Sequence, residues 1–310
     1  MTYPWTRAIE EEFAERLREG RLPHAILLSG PHETGKTEAA TGFVASILCL
    51  EDQYPACGAC RSCQLLASGA HPDRHTVTFE PHPRTGDLRK EIVIDQVRKL
   101  IASLNLTNTI SRRKAALIHP VEAMNRSAAN ALLKTLEEPP GDTVLILVAH
   151  DTGRLPATIR SRCQNLLVRT PDTNNSIDWL CSSVDTDADE AEAALAAAAG
   201  SPLKAARMIQ DGSLETYRLV VSTLRELRAQ QIQPGAAMAS LADADPELLW
   251  SWISLHAATE VRNTIHRPAI AKSLSQLQSL ADRNRKLLPT PVRKDFLLQD
   301  WLIQWSRLTA

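Results

Sequence analysis

A glycine-rich segment near the N-terminus contains the residue types that hold phosphate. Residues 30–37 have the sequence GPHETGKT, which fits the pattern G-x-x-x-x-G-K-T. In such a loop Gly30 and Gly35 allow a tight turn, backbone N–H groups point at phosphate oxygens, and Lys36 adds a positive charge. The hydroxyl of Thr37 is placed to contact Mg²⁺. The pattern therefore predicts a site for ATP or ADP with Mg²⁺, and the alternative is a plain glycine turn.

The segments on either side of this loop decide between the two interpretations. Residues 26–28 are apolar, which is typical of a buried parallel strand, and residues 38–50 favour a helix. Strand, loop and helix in this order are what a phosphate-binding loop requires. We therefore favour nucleotide binding over a plain turn.

Four of the six cysteines have the spacing of a metal site. They follow the pattern C-x₇-C-x₂-C-x₂-C at Cys49, Cys57, Cys60 and Cys63. The surrounding segment, residues 51–73, lacks the pattern of a strand or a long helix, so something other than a core must order it. Four thiolates on a tetrahedral Zn²⁺ ion would do so, and such a closed site is structural. The alternative, free thiols on a surface loop, is disfavoured because exposed clustered thiols oxidise readily.

The groups that would activate water for hydrolysis are missing. A P-loop ATPase places an Asp and a Glu at the end of the strand that corresponds to residues 114–118, where they hold Mg²⁺ and direct the attacking water. This chain has His119 and Pro120 there, and neither can do that work. The nearest carboxylate, Glu122, is expected to be a solvated loop residue. We therefore predict a loop that holds nucleotide without hydrolysing it.

The elements that must position these residues follow from the hydrophobic pattern. Apolar strands alternate with helical segments over residues 1–170, which predicts an α/β domain whose parallel sheet has helices on both faces. A polar linker is expected at residues 171–175. Beyond it the strand pattern stops, which predicts a small helical domain at residues 171–211 and an all-helical domain at residues 212–310. Four tryptophans in that last domain are expected in its core, with interface anchors as the alternative: Trp250, Trp252, Trp301 and Trp305.

Composition excludes some classes of protein. The net charge is −1 and no apolar run approaches the ~20 residues needed to cross a bilayer, so we expect a cytoplasmic protein without a membrane partner. A second alternative is a zinc protein that binds duplex DNA through the cysteine module. It is disfavoured because the charge is near neutral and only Arg61 and Arg74 lie near the cysteines.

Several of these segments together resemble the bacterial clamp-loader subunits, which are AAA+ ATPases. The segments that carry the resemblance are residues 21–24 (RLPH), the phosphate loop, the cysteine module, residues 131–140 (ALLKTLEEPP) and the triplet Ser161-Arg162-Cys163. The resemblance covers residues 1 to about 210 and implies an AAA+ P-loop domain with a zinc module, followed by a helical lid and an all-α collar.

Within that family, both an ATP-hydrolysing gamma/tau motor subunit and a non-hydrolysing stator carry the zinc module and the triplet. His119 and Pro120 favour the stator. Leu203 agrees, because by resemblance it stands where motor subunits have an arginine that touches the γ-phosphate. The neighbouring Lys204 leaves open whether a lysine substitutes, and a gamma/tau-like motor is the alternative.

The resemblance also implies a role for Arg162. In clamp loaders the arginine of this triplet reaches across the subunit interface to a neighbour's nucleotide, as an arginine finger in trans. No catalytic residue is then expected in cis. The implied partners are gamma/tau and delta subunits in a hetero-pentamer and, through that complex, the sliding clamp and primed DNA. The alternative is a structural arginine that bonds carbonyls at a sheet edge.

Overall fold

A computed structural model describes residues 3–308, which separate into two units with the division between Asn175 and Ser176. The first unit contains a five-stranded parallel sheet in the order β2-β3-β4-β1-β5. Its strands are β1 (Ala25–Ser29), β2 (Arg74–Val77), β3 (Lys114–Ile118), β4 (Thr143–Ala149) and β5 (Gln164–Leu167). Every residue of β1, β3 and β4 is buried, as expected for strands covered on both faces.

Helices cover both faces of this sheet, so the predicted fold class is confirmed. The helical elements are α1 (Arg7–Arg18), α2 (Lys36–Leu48), α3 (Arg61–Ala67), α4 (Ile94–Leu104), a 3₁₀ turn (Val121–Ala123), α5 (Arg126–Glu137) and α6 (Ala157–Arg160). Successive residues of a strand point to opposite faces. Ile146 of β4 therefore packs with Phe13 of α1 and Phe43 of α2, whereas Leu147 packs with Leu132 of α5 in a separate cluster.

The second unit is helical. The predicted linker at residues 171–175 is wrong from Thr173 onwards, because a helix begins there. Helix α7 begins at Thr173, because the Asp172 carboxylate accepts the Asn175 N–H (2.9 Å) and so supports the start of the helix. The described helices are α7 (Thr173–Val184), α8 (Ala188–Ala197), α9 (Pro202–Gln210), α10 (Ser213–Arg228), α11 (Pro234–Ser240), α12 (Pro246–Asn263), α13 (Pro268–Leu287) and α14 (Lys294–Ser306). Among residues 3–308, none of the helices is both long and apolar enough to span a bilayer.

One hydrophobic cluster runs from α7 to α14 and contains all four tryptophans. The indole N–H of Trp301 donates to the Leu277 carbonyl and that of Trp305 to the Leu224 carbonyl, both at 2.9 Å. These side chains belong to the core of the unit, as predicted. The division into lid and collar at residue 211 stays a prediction, since α8 and α9 contribute to the same cluster as the later helices.

Candidate functional site

The phosphate loop lies at the carboxyl end of the inner strand β1. Gly30 follows the strand with φ 148°, and a Cβ there would lie 2.1 Å from the Val168 carbonyl oxygen, so only glycine fits. Gly35 adopts the left-handed conformation (φ 77°) and caps α2, which Lys36 and Thr37 begin. The structure thus places Gly35, Lys36 and Thr37 at the amino end of a 13-residue helix, where free N–H groups favour an anion, and Gly30 at the start of the loop.

Lys36 is folded back onto the loop. Its side chain is 1% exposed, and Nζ donates to the Pro31 carbonyl and to Thr34 Oγ1 (3.2 Å). Burial lowers the pKa of Lys36 to about 8, against the opposing effect of the carboxylates of Glu122 and Glu38. The ammonium group is therefore mostly charged at neutral pH and sits inside the loop that would receive phosphate.

Two aromatic residues ahead of α1 hold the outer side of the loop, which the sequence pattern did not indicate. The ring of Tyr3 lies so close to Gly35 that a Cβ there would be 2.2 Å from Tyr3 Cδ2. Tyr3 stacks on Trp5 at 5.3 Å, and the Trp5 indole donates to the Thr34 carbonyl at 3.0 Å. The conformation of the loop at Thr34 and Gly35 is thus held by contacts with Tyr3 and Trp5 as well as by the flexibility of glycine.

The expectation that Glu122 is a solvated loop residue is wrong. The 3₁₀ turn carries its side chain across the end of β4, where Oε1 accepts the N–H groups of His150 (3.0 Å) and Asp151 (3.3 Å). Oε2 is buried and has no hydrogen-bond partner among residues 3–308. His119 and Pro120 follow β3 directly, as the sequence predicts, so Glu122 is the carboxylate that this edge of the sheet offers to the loop.

His150 links the end of β4 to the phosphate loop. Its ring stacks on His32 at 4.1 Å between ring centroids. Burial lowers the pKa of His150 to about 4, and the neighbouring Lys36, His32 and His119 add to this effect. The imidazole is therefore neutral at physiological pH, and its Nδ1 is buried without a partner in the described part of the chain.

The four predicted cysteines come together. Their sulfur atoms all lie within 4.8 Å of one another, and Cys57 Sγ is 3.8 Å from Cys63 Sγ. Tetrahedral Zn²⁺ with Zn–S bonds of about 2.3 Å requires sulfurs roughly 3.8 Å apart. Cys49 follows α2 directly, and Cys60 caps α3. The donor set and its spacing therefore fit a metal ion such as zinc, held between two helix ends.

A buried polar network joins this module to the sheet domain. The hydroxyls of Ser62 and Ser111 both donate to the Leu48 carbonyl, at 2.6 and 2.7 Å. His71 Nε2 lies 2.8 Å from the Ser62 hydroxyl. The end of α2, helix α3 and the segment before β3 are thereby held to one another.

Asp73 anchors the segment that leads into β3. Its carboxylate accepts three successive N–H groups, those of residues 109–111, at 2.7 to 2.8 Å. Burial acts to raise the pKa of Asp73, but the three donors outweigh it and hold the pKa below its ordinary value. Asp73 is 1% exposed, so these bonds are made in a low-dielectric environment.

Arg162 lies at the surface just beyond α6. Its Nε donates to Glu137 Oε1 (2.6 Å), and a second guanidinium nitrogen also contacts that oxygen. Nη1 donates to the Thr158 carbonyl (2.8 Å) and lies 3.4 Å from the Ser161 hydroxyl. The side chain is 32% exposed. The guanidinium is thus held by both a carboxylate and a carbonyl, and it faces solvent.

The two neighbours of Arg162 in the triplet differ in their surroundings. Ser161 is exposed. Cys163 packs against the hydrophobic cluster that contains Leu132 and Leu147, and burial raises the pKa of its thiol to about 12, so it is an unreactive, half-buried thiol.

Comparison with known proteins identifies the family. The family model described as "DNA polymerase III, delta subunit" matches residues 5–172, more than half of the chain. The DNA polymerase III subunit delta-prime of Pseudomonas aeruginosa is 36% identical over 97% of this chain and 89% of its own length. The chain belongs to the DNA polymerase III delta-prime family. The delta-prime subunit of Escherichia coli is 28% identical over 97% of this chain and 94% of its own length.

Relatives of the other subunit type match only in part. The DNA polymerase III subunit tau/gamma of Haemophilus influenzae is 33% identical over 48% of this chain and 21% of its own length. The delta-prime family is therefore matched along nearly the whole chain, including the helical second unit. In that unit, Leu203 and Lys204 lie in the first turn of α9, and both are half-buried.

Proposed function

We propose that the chain is the non-hydrolysing stator of a bacterial clamp loader, the complex that opens a sliding clamp and places it on primed DNA. The observation that carries this proposal is the match to delta-prime subunits over 97% of the chain, against 48% for a tau/gamma subunit. The partners in this proposal are gamma/tau and delta subunits in a hetero-pentamer. The helical region from residue 212 would form the collar of that assembly.

The stator role rests on the absence of hydrolytic groups at the nucleotide loop. His119 and Pro120 occupy the positions at the end of β3 from which an Asp and a Glu would act on Mg²⁺ and water. Glu122 Oε1 is engaged by two backbone N–H groups at the end of β4, so this oxygen is already occupied and is not available to activate water. We propose that Gly30, Gly35, Lys36 and Thr37 hold ATP or ADP with Mg²⁺ without turnover.

Steady-state ATP hydrolysis by the purified chain tests this role. We expect no turnover above background and no difference between the wild type and Lys36→Ala. Turnover that Lys36→Ala abolishes would contradict the stator role and favour a gamma/tau-like motor.

Arg162 is the residue proposed to act chemically, on the nucleotide of a neighbouring motor subunit. A guanidinium supplied in trans stabilises charge on the transferring phosphoryl group and can accelerate hydrolysis by ~10³ or more. Its partial exposure and its contact with a surface carboxylate, Glu137, support this role, because an incoming phosphate can take the place of that carboxylate on the guanidinium.

The metal is proposed to be structural zinc. Cys49, Cys57, Cys60 and Cys63 would fill a tetrahedral coordination sphere and leave no position for a substrate. The ion would order residues 49–60, which lie between α2 and α3. It would thereby support the far end of the helix that begins at the phosphate loop.

A further inference from the structure

The guanidinium of Arg162 is paired with a carboxylate of its own chain. Nε donates to Glu137 Oε1 at 2.6 Å, and Nη2 contacts the same oxygen. On the other side, Nη1 donates to the Thr158 carbonyl at 2.8 Å. Because the guanidinium is planar and its N–H groups have fixed directions, these contacts set both its position and its plane. The edge formed by Nε and Nη2 is therefore occupied by Glu137 in the free subunit.

Glu137 lies at a position where the stability of its helix does not favour an acid. It is the last residue of α5, at the negative end of the helix dipole. A carboxylate is unfavourable there, whereas a cation such as Lys134 in the same last turn is favourable. Arg162 supplies the charge that offsets the carboxylate. The contact with Arg162, and not the helix itself, therefore accounts for an acid at this position.

The pair between Glu137 and Arg162 can be exchanged. Its two side chains are 49% and 32% exposed, and ion pairs screened by solvent in this way contribute little to stability. A phosphoryl group accepts the same N–H groups as a carboxylate and carries more negative charge. Lys134 is exposed three positions before Glu137 on α5, so it can take up the released carboxylate. Exchange therefore leaves a partner for each of the two charges.

We propose that Glu137 restrains the arginine finger, because it competes with the γ-phosphate of the neighbouring subunit's nucleotide for the guanidinium of Arg162. A contact that is made in the ground state and lost in the transition state raises the barrier to reaction. The bond to the Thr158 carbonyl holds the guanidinium at the surface while the anions exchange. The finger then acts only where the assembly brings a phosphate close enough to replace the carboxylate. This inference rests on the proposed trans role of Arg162.

The test is ATP hydrolysis by the reconstituted hetero-pentamer without clamp or DNA, with assembly verified by gel filtration. Four forms of this chain are compared: wild type, Glu137→Gln, Arg162→Ala and the double variant. Glu137→Gln keeps a hydrogen-bond acceptor but removes the competing charge. It should raise the rate that depends on Arg162 about fivefold, which corresponds to about 1 kcal/mol, the upper end for exposed ion pairs. In the Arg162→Ala background the same change should have no effect, which a purely structural role of Glu137 would not produce.

The matched control is Glu138→Gln. Glu138 is the adjacent exposed acid, and within residues 3–308 its side chain makes no bond to Arg162. Removing its charge should leave the rate at the wild-type value. A rate in Glu137→Gln that is unchanged or lower than that of wild type would overturn the inference, while the finger stands if Arg162→Ala lowers the rate stimulated by clamp and primed DNA. If Arg162→Ala leaves that stimulated rate unchanged, the proposed trans role is wrong, and the inference is wrong with it.

A structure of the wild-type complex with ADP and beryllium fluoride, which together mimic ATP, provides a second measurement that does not depend on a variant. The expected result is Arg162 in contact with the fluoride group of the neighbouring subunit and the Glu137 carboxylate more than about 4 Å from the guanidinium, beyond the reach of an ion pair. A carboxylate that stays on Nε while the finger contacts the nucleotide would overturn the inference.

Discussion

Arg162 is held in place by its own chain before any partner arrives. Three of its guanidinium nitrogens contact Glu137 or Thr158. This arrangement contains the carbonyl bond expected of a structural arginine, and it also contains an exposed carboxylate contact that a phosphate can replace. Side chains held by several bonds lose less conformational freedom on binding, so the pairing is compatible with a finger that acts in trans.

Lys36 should make nucleotide binding depend on pH. Because burial lowers its pKa to about 8, the ammonium group loses its proton as the pH rises through this value, and the attraction for phosphate falls with it. If bound phosphate keeps Lys36 protonated, the affinity for ADP should fall about tenfold between pH 7 and pH 9. Fluorescence titration measures this. Lys36→Ala should bind ADP weakly at both pH values, and a pH dependence that survives in this variant would assign the titration to another group.

At the scale of elements, the cysteine module joins α2 to α3. We expect metal analysis to find one zinc ion per purified chain. Cys63→Ser removes one of the clustered thiolates and should lower both the zinc content and the thermal stability, because metal binding contributes to folding.

Cys181→Ser is the matched control for this prediction. Cys181 is a half-buried thiol in α7, outside the cluster, so its replacement should leave the zinc content unchanged. A wild-type chain that contains no zinc would contradict the four-cysteine site.

Asp73 directly precedes β2 and is bonded to the turn that leads into β3. Asp73→Asn places an NH₂ group or a neutral oxygen against N–H donors, and we expect a loss of about 2–3 kcal/mol in the free energy of unfolding. Urea unfolding of the wild type and the variant measures the difference. The lowered pKa of Asp73 further predicts that its contribution is complete above its unfolded pKa and is lost as the pH falls through the folded value.

Asp52→Asn is the control for Asp73. Asp52 pairs with Arg112 and Arg113 of the same turn, but the Arg112 side chain is 75% exposed. Solvent-screened pairs contribute little, so we expect a loss of at most about 1 kcal/mol. Equal losses for the two variants would contradict the anchoring role of Asp73.

At the scale of the whole molecule, local patterns predicted the sheet domain, the helical second unit and the four clustered cysteines. Buried parallel strands such as β3 and β4 are continuous apolar runs, so they can be predicted from the sequence alone. The bonds of Glu122 were not predictable in this way, because they join residues 28 and 29 positions apart at the ends of different elements. The pairing of Arg162 with Glu137 likewise spans 25 positions.

The linker was predicted wrongly and the aromatic contacts were not predicted at all, for related physical reasons. Polar residues at 171–175 suggested a linker, yet a side-chain oxygen of Asp172 is what starts α7. The contact of Tyr3 with Gly35 depends on how α1 packs on α2, and a short aromatic segment carries no periodic signal of it.

The stator role concerns the assembled complex and is tested most directly there. The hetero-pentamer is reconstituted with wild type, Arg162→Ala or Arg160→Ala, and the ATPase rate stimulated by clamp and primed DNA is measured. Arg160 is an exposed arginine at the end of α6, two residues before Arg162, and serves as the control. With assembly verified by gel filtration, Arg162→Ala should lower hydrolysis at the contacted site by up to ~10³, and Arg160→Ala should leave it unchanged. A wild-type rate in the Arg162→Ala complex would contradict the trans role of this arginine.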